Sequence, residues 1–192
     1  MIYPIYPVSE TKKNENFFID ANVLLFLYVD DMDQYQNAHK IQVYSDFVKN
    51  LQRNGNSLFV SVLNLQEVLH VIEKQEYVNY CKINHSKIKM KSYRRNDNER
   101  KDLKIKLGSV LQQIVKNYSI QGGCVTLQEI DKFVSSFDTH LYDPIDFFVI
   151  DAQCSKTQCL DQYFNYVTDD SDFKSNFIFK TNPYVNLYTL GG

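Results

Sequence analysis

Two short apolar runs in this chain end in acids. Phe17-Phe18-Ile19 leads into Asp20, and Phe164-Asn165-Tyr166-Val167-Thr168 leads into Asp169-Asp170-Ser171-Asp172-Phe173. Aromatic and β-branched runs of this length predict buried strands, each delivering a carboxylate to its C-terminal edge. Leu58-Phe59-Val60-Ser61-Val62 and Cys124-Val125-Thr126-Leu127 predict two more strands, and Asn186–Leu190 a fifth at a sheet edge. Between them the apolar spacing turns helical. Ala21–Tyr28 forms a short apolar helix. Ala38, Ile41, Tyr44, Phe47, Val48 and Leu51 mark one over Gln34–Asn54, and Asn54-Gly55-Asn56 ends it. Another starts at Asn64. Leu103, Leu107, Val110, Leu111 and Ile114 mark a helix up to Tyr118, and Gln128–Phe137 and Pro144–Thr157 complete the set. Strands alternating with helices predict an α/β fold, a three-layer α/β/α sandwich around a mostly parallel sheet of four to five strands. In such sheets ligands bind at the carboxyl edge.

The stretch between Ser86 and Lys101 has little apolar periodicity and is expected to be a loop or an extended helical arm. Charge sets it apart. Residues 82–106 carry ten Lys and Arg against three Asp and Glu, a local +7 inside a chain of net charge −2. The other residues then hold −9. A basic segment beside an acidic body points to a polyanionic partner or to a solvated face. Lys87, Lys89, Lys91, Tyr93, Arg94 and Arg95 interleave cations with an aromatic ring. They suit an RNA backbone with Tyr93 stacked on a base, an acidic partner protein, or a neighbour in a dimer.

The 192 residues predict a single domain over 17–192, preceded by an extension over 1–16 and interrupted by a basic helical insertion over about 78–117. The four cysteines, at 81, 124, 154 and 159, match no metal knuckle or redox pair. They are expected to be reduced thiols, which favours a cytoplasmic protein. Residues 1–16 lack the pattern of a secretion signal, and no window resembles a membrane span.

The acids carry the chemistry. Asp20, Glu67, Asp146, Asp170 and Asp172 come from four segments that the predicted topology brings to one edge. Glu67 and Asp146 lie near helix starts, where the dipole favours them. Grouped carboxylates need protons or cations to offset their repulsion. An oxygen-only set without His or Cys suits Mg²⁺ or Mn²⁺ rather than zinc. The reaction that follows is metal-assisted hydrolysis of a phosphodiester. Asp143 competes with Asp146 for the third place, although before Pro144 it already suits a helix cap. His70 is expected to be structural.

Four motifs in order resemble those of the PIN-domain nucleases, which include the VapC-type toxin ribonucleases. They are Phe18-Ile19-Asp20-Ala21-Asn22-Val23-Leu24-Leu25, Ser61-Val62-Leu63-Asn64-Leu65-Gln66-Glu67-Val68, Asp146-Phe147-Phe148-Val149-Ile150-Asp151-Ala152 and Val167-Thr168-Asp169-Asp170-Ser171-Asp172-Phe173. The resemblance spans roughly 17–175. It implies a Mg²⁺- or Mn²⁺-dependent endoribonuclease with Asp20, Glu67, Asp146 and Asp170 as metal-site acids and Asp172 as an accessory. Asn22 and Thr168 would hold carboxylates by hydrogen bonds. It also implies a homodimer, and a role either as the toxin of a toxin–antitoxin pair or as a stand-alone RNA-processing enzyme. Two departures stand out: Asp151 occupies a place where the family has a small residue, and the basic segment lengthens the chain. Two other readings compete: a PIN fold that binds RNA or protein without cleaving, and a phosphatase with a nucleophilic aspartate. The latter needs an acid at the position of Asn22.

Overall fold

The computed structural model describes residues 5–8, 12–29, 34–122, 127–136, 148–149, 164–170 and 185–190. Its strands are β1 (Ile5–Pro7), β2 (Asn16–Ile19), β3 (Ser57–Ser61), β4 (Ser119–Gln121), β5 (Phe164–Val167) and β6 (Val185–Thr189). Its helices are α1 (Ala21–Tyr28), α2 (Gln34–Arg53), α3 (Val62–Ile83), α4 (Met90–Tyr93), α5 (Asp97–Asn117) and α6 (Leu127–Ser136). The strands form one sheet in the order β1-β6-β5-β2-β3-β4, and every pairing is parallel.

Parallel strands with buried faces read as continuous apolar runs, which is why Phe17-Phe18-Ile19 shows no alternation. Phe17 and Ile19 join Leu58, Val60, Val167 and Tyr188 in one core cluster with residues of α1, α2, α3 and α5. Phe18, Tyr166 and Leu187 have the opposite parity and are buried as well. The sheet is therefore flanked on both faces, the three-layer α/β arrangement that the alternation of elements predicts. The core is strongly aromatic. Phe17 and Phe47 both pack on Tyr188, with ring centroids 5.2 and 5.7 Å from it, and Tyr6 stacks on the same ring at 5.1 Å.

The strand order places the site. β2 pairs with β5, and the chain leaves β2 toward β3 on one side but leaves β5 toward β6 on the other, so the connections from these neighbouring strands diverge. That is a topological switch point, where loops diverge and a crevice opens beyond the carboxyl ends of the strands. Asp20 directly follows β2, and Thr168 follows β5.

The described residues refine three expectations. A strand not expected from the sequence lies at Ser119–Gln121, just after α5; of the strand expected at 124–127, residues 124–126 lie outside the described residues and Leu127 opens α6. β6 is internal to the sheet, because Ile5–Pro7, expected only as an extension, pairs alongside it as the edge strand. Among the described residues the sheet thus has six strands rather than four to five. The basic segment is helical over most of its length. α3 runs 22 residues, much longer than its apolar start announces, and α5 begins at Asp97 with Asn96 capping the amides of Asn98 and Glu99. α3 and α5 pair along their length: Lys106 bonds Glu76 at 2.6 Å, and Val110 and Ile114 enter the core cluster with Val68 and Ile72.

Two turns depend on left-handed backbone. Gly55 has φ +73°, and a Cβ there would meet Asn14 Oδ1 at 3.0 Å, so glycine suits the turn into β3 on both counts. At the C-terminus of α3, the Ser86 amide donates to the Cys81 carbonyl and the His85 amide to Lys82. This is a Schellman cap, with His85 at φ +47° in the place glycine favours. His85→Gly is expected to stabilise the chain by about 0.5–1 kcal/mol, raising Tm by roughly 1–4 °C in thermal denaturation. A lower Tm would show that the His85 side chain contributes more than its backbone costs.

Candidate functional site

Asp20 caps α1, its Oδ1 accepting from the Ala21 amide at 2.7 Å. The same oxygen accepts from Asn64 Nδ2 at 3.0 Å and from the Tyr166 hydroxyl at 2.8 Å. Three donors exhaust the two lone pairs of a carboxylate oxygen. Oδ2 accepts from Thr168 Oγ1 at 2.6 Å. The side chain is 3% exposed.

Thr168 ties this cage together. While it donates to Asp20, its oxygen accepts from Asn22 Nδ2 at 3.2 Å and from the Asp170 amide at 3.0 Å. Asn22 returns a bond through Oδ1, which accepts from the Asp169 amide at 3.1 Å. The turn after β5 is thereby held to the start of α1. Asp169 is turned away to α2: Lys40 pairs with it at 2.5 Å, and the Tyr44 hydroxyl donates to it at 3.0 Å and contacts the Thr168 carbonyl at 3.1 Å. Burial and the neighbouring Asp169 charge push the Tyr44 phenol well above its ordinary pKa, so it stays a donor.

The electrostatics oppose a charged Asp20. Burial raises its pKa above the ordinary 3.8, the bonds from Thr168, Tyr166 and the Ala21 amide hold it down, and repulsion from Asp170 raises it further. The net direction is upward. A folded pKa above the unfolded one means that the folded chain binds this proton more tightly. The charge therefore costs stability at neutral pH, and that cost fades as pH falls through the raised pKa toward the unfolded value.

Asp20, Asn22, Thr168 and Asp170 thus meet at the switch point. Glu67 is half-buried on α3, three residues beyond Asn64, and His70 is exposed. Asp143, Asp146, Asp151 and Asp172 lie outside the described residues. Among the described residues no group of three or more His, Cys, Asp or Glu side chains is close enough to hold a metal ion. The oxygen chemistry nonetheless fits a hard cation. Among the described residues, Asp20 Oδ2 carries only one hydrogen bond, Asp170 is near enough to repel it, and Asn64 Oδ1 is buried without a hydrogen-bond partner.

Asn64 and Tyr166 are the residues whose part sequence reasoning missed. Asn64 is a lone amide among Val62, Leu63 and Leu65 at the start of a helix, where an exposed polar residue would be ordinary and a buried one signals a partner. Tyr166 shares its strand face with Thr168, two residues on, and that parity was available in the sequence.

No family model matches the chain, and no curated protein matches it either. One solved structure resembles it, described as the crystal structure of VapBC2 from Rickettsia felis bound to a DNA fragment from their promoter. The match has 13% identity and a TM-score of 0.48, and covers 91% of this chain and 98% of that one.

The arm corrects part of the expected RNA surface. Tyr93 is 2% exposed, with its ring 5.6 Å from Tyr77 and 5.4 Å from Tyr80, so it has no face for a base. Arg94 is held by Glu73 in a two-pronged pair of 2.6 Å bonds, which also holds the Glu73 carboxyl below its usual pKa. Lys87, Lys89, Lys91 and Arg95 are exposed. Among the described residues no helix is long and apolar enough to cross a membrane.

Thr168→Val removes the donor to a buried carboxylate and both acceptors at once. It is expected to cost about 2–3 kcal/mol, or roughly 4–12 °C in Tm, whereas Thr168→Ser keeps the hydroxyl and most of the stability. Equal melting of the Val variant and the parent would remove Thr168 as the centre of the network.

Proposed function

We propose that this chain is a PIN-like, divalent-metal-dependent ribonuclease acting on phosphodiester bonds, centred on Asp20. The observation that supports it best is a carboxylate buried at the switch point, facing a second acid, with one oxygen saturated and the other carrying a single hydrogen bond. Such a group is costly as an isolated charge. A divalent cation held by Asp20 and its neighbouring acids would relieve that cost. When bound, Mg²⁺ or Mn²⁺ would activate a water and neutralise phosphate charge.

The residues then divide the work. Ala21, Asn64 and Tyr166 hold Oδ1, so the carboxylate cannot turn. Thr168 aims Oδ2 and fixes the Asp170 amide. Asp169, anchored by Lys40 and Tyr44, keeps the turn in place so that Asp170 stays near Asp20. Glu67, Asp146 and Asp172 complete the acid set in this proposal, as the motif resemblance implies. The resemblance also supports a toxin role with a protein antitoxin, and a homodimer.

The phosphatase reading is weaker. It requires a second acid at position 22, and Asn22 there is committed through both its amide groups to Thr168 and Asp169. A non-cleaving PIN fold remains the second reading, and the same experiment separates the two.

Single-stranded or looped RNA should be cleaved with Mg²⁺ or Mn²⁺ and not with chelator. Asp20→Asn and Asp170→Asn should each lower cleavage by about 100-fold or more. Mn²⁺ should raise the Tm of the parent at neutral pH and leave that of Asp20→Asn unmoved. RNA binding without cleavage, and no cation-induced shift, would establish the binding module instead.

The proposal extends to the arm, where Lys87, Lys89, Lys91 and Arg95 supply phosphate contacts. They sit near the far end of α3, about 30 Å along its axis from Asn64, so they would grip RNA well away from the scissile bond. Replacing all four with Ala should flatten the log–log salt dependence of RNA binding by up to about 0.7 per cation. An unchanged slope removes the arm tip from the RNA interface.

A further inference from the structure

The outer side of the arm holds a groove of about 790 Å³ between α4 and α5. Its floor is the row Leu103, Leu107 and Leu111, at helical spacing and only half-buried, although each also packs against the core. Arg100, Lys101 and Lys104 stand along the same stretch, all exposed. Glu73 and Arg94 form one wall and neutralise each other. Asp97 is the remaining acid of the lining.

Gly108 lies in the middle of this stretch. A Cβ built there meets nothing within 4 Å. Glycine in a helix interior costs about 1 kcal/mol relative to alanine. Here it leaves space open above the leucine row.

We propose that this groove is a docking site for an acidic amphipathic helix of a partner protein. The complementarity decides the class of ligand. A leucine row about 12 Å long matches roughly two turns of a facing helix, read as anchors at i, i+4 and i+7. The cations beside it require carboxylates on the flanks of that helix. RNA fits less well, because bases need flat aromatic or guanidinium platforms. The one aromatic ring of the lining, Tyr93, is packed into the arm, and the Arg94 guanidinium is committed to Glu73. Aliphatic leucines offer a nucleic acid little.

The docking does not rest on the nuclease reading.

The test uses the full chain in chelating buffer, with no cleavage read. The probe is a fluorescein-labelled peptide of about 18 residues, with Leu at i, i+4, i+7 and i+11 and Glu on both flanks. A control carries Lys in place of each Glu, and a second probe is a single-stranded RNA of about 20 nucleotides. Saturable anisotropy with the acidic peptide is expected, with the Lys control weaker by about tenfold or more. Gly108→Phe plugs the groove in space that is open. Arg100→Glu, Lys101→Glu and Lys104→Glu together reverse its rim. Each change should weaken the acidic peptide by about tenfold with Tm within a few degrees of the parent. Equal binding of the two peptides, or insensitivity to the plug, overturns the proposal. So does RNA affinity that falls tenfold with Gly108→Phe, which would make the groove a nucleic-acid site.

Discussion

A single hydroxyl hydrogen sets the geometry of the sheet edge. Thr168 Oγ1 accepts from Asn22 and the Asp170 amide, so both lone pairs are used and its proton goes to Asp20. The direction of the bond is therefore forced rather than chosen. Asp20 must act as an acceptor, and the turn after β5 must sit where Asn22 can reach it. The backbone bond from the Asp20 amide to the Val167 carbonyl extends the β2–β5 ladder into this cage. Sheet register and carboxylate orientation are consequently one constraint. A slip of one residue in the pairing would send Thr168 to the opposite face.

Burying Asp20 runs against stability at neutral pH, and the surroundings show how far the chain compensates. Four donors stabilise the carboxylate, yet burial and Asp170 still prevail. A purely structural cap needs no second acid nearby, and Asn or Ser would cap α1 without burying a charge. The arrangement is that of a carboxylate kept buried beside a second acid at a cost in stability. Sites of this kind depart from the stability optimum because function requires the strain.

Much of this was legible in the sequence, and the misses have physical causes. Strands that end in acids could be read because buried parallel strands are uniformly apolar and their ends are abrupt. β4 was missed because it is three residues long and follows α5 without a break, so the helical period of Leu107, Val110, Leu111 and Ile114 ran straight into it. The order at the β6 edge was missed because Ile5-Tyr6-Pro7 contains a proline, which reads as a loop. Proline is tolerated there because an edge strand leaves one row of amides unpaired. Tyr93 misled for a different reason. A tyrosine amid lysines suggests a stacking platform, but Tyr77 and Tyr80, a turn apart on α3, provide an aromatic pocket that only the fold brings to it. Sequence spacing shows which residues share a helix face and not which faces meet.

α3 joins the two halves of the molecule. Its first turn places Asn64 against Asp20, its middle places Glu73 and Glu76 against the arm, and its end carries the Schellman cap that turns the chain toward α4. α3 runs 22 residues without interruption from that first contact to the arm. Asn64 is also the member of the cage with a spare acceptor, Oδ1. It is the one donor to the Asp20 carboxylate that neither the Asp20–Ala21 backbone nor β5 and its following turn supplies. The same helix carries Glu67 three residues beyond Asn64, so one continuous element supplies both the Asn64 contact and the inner wall of the arm.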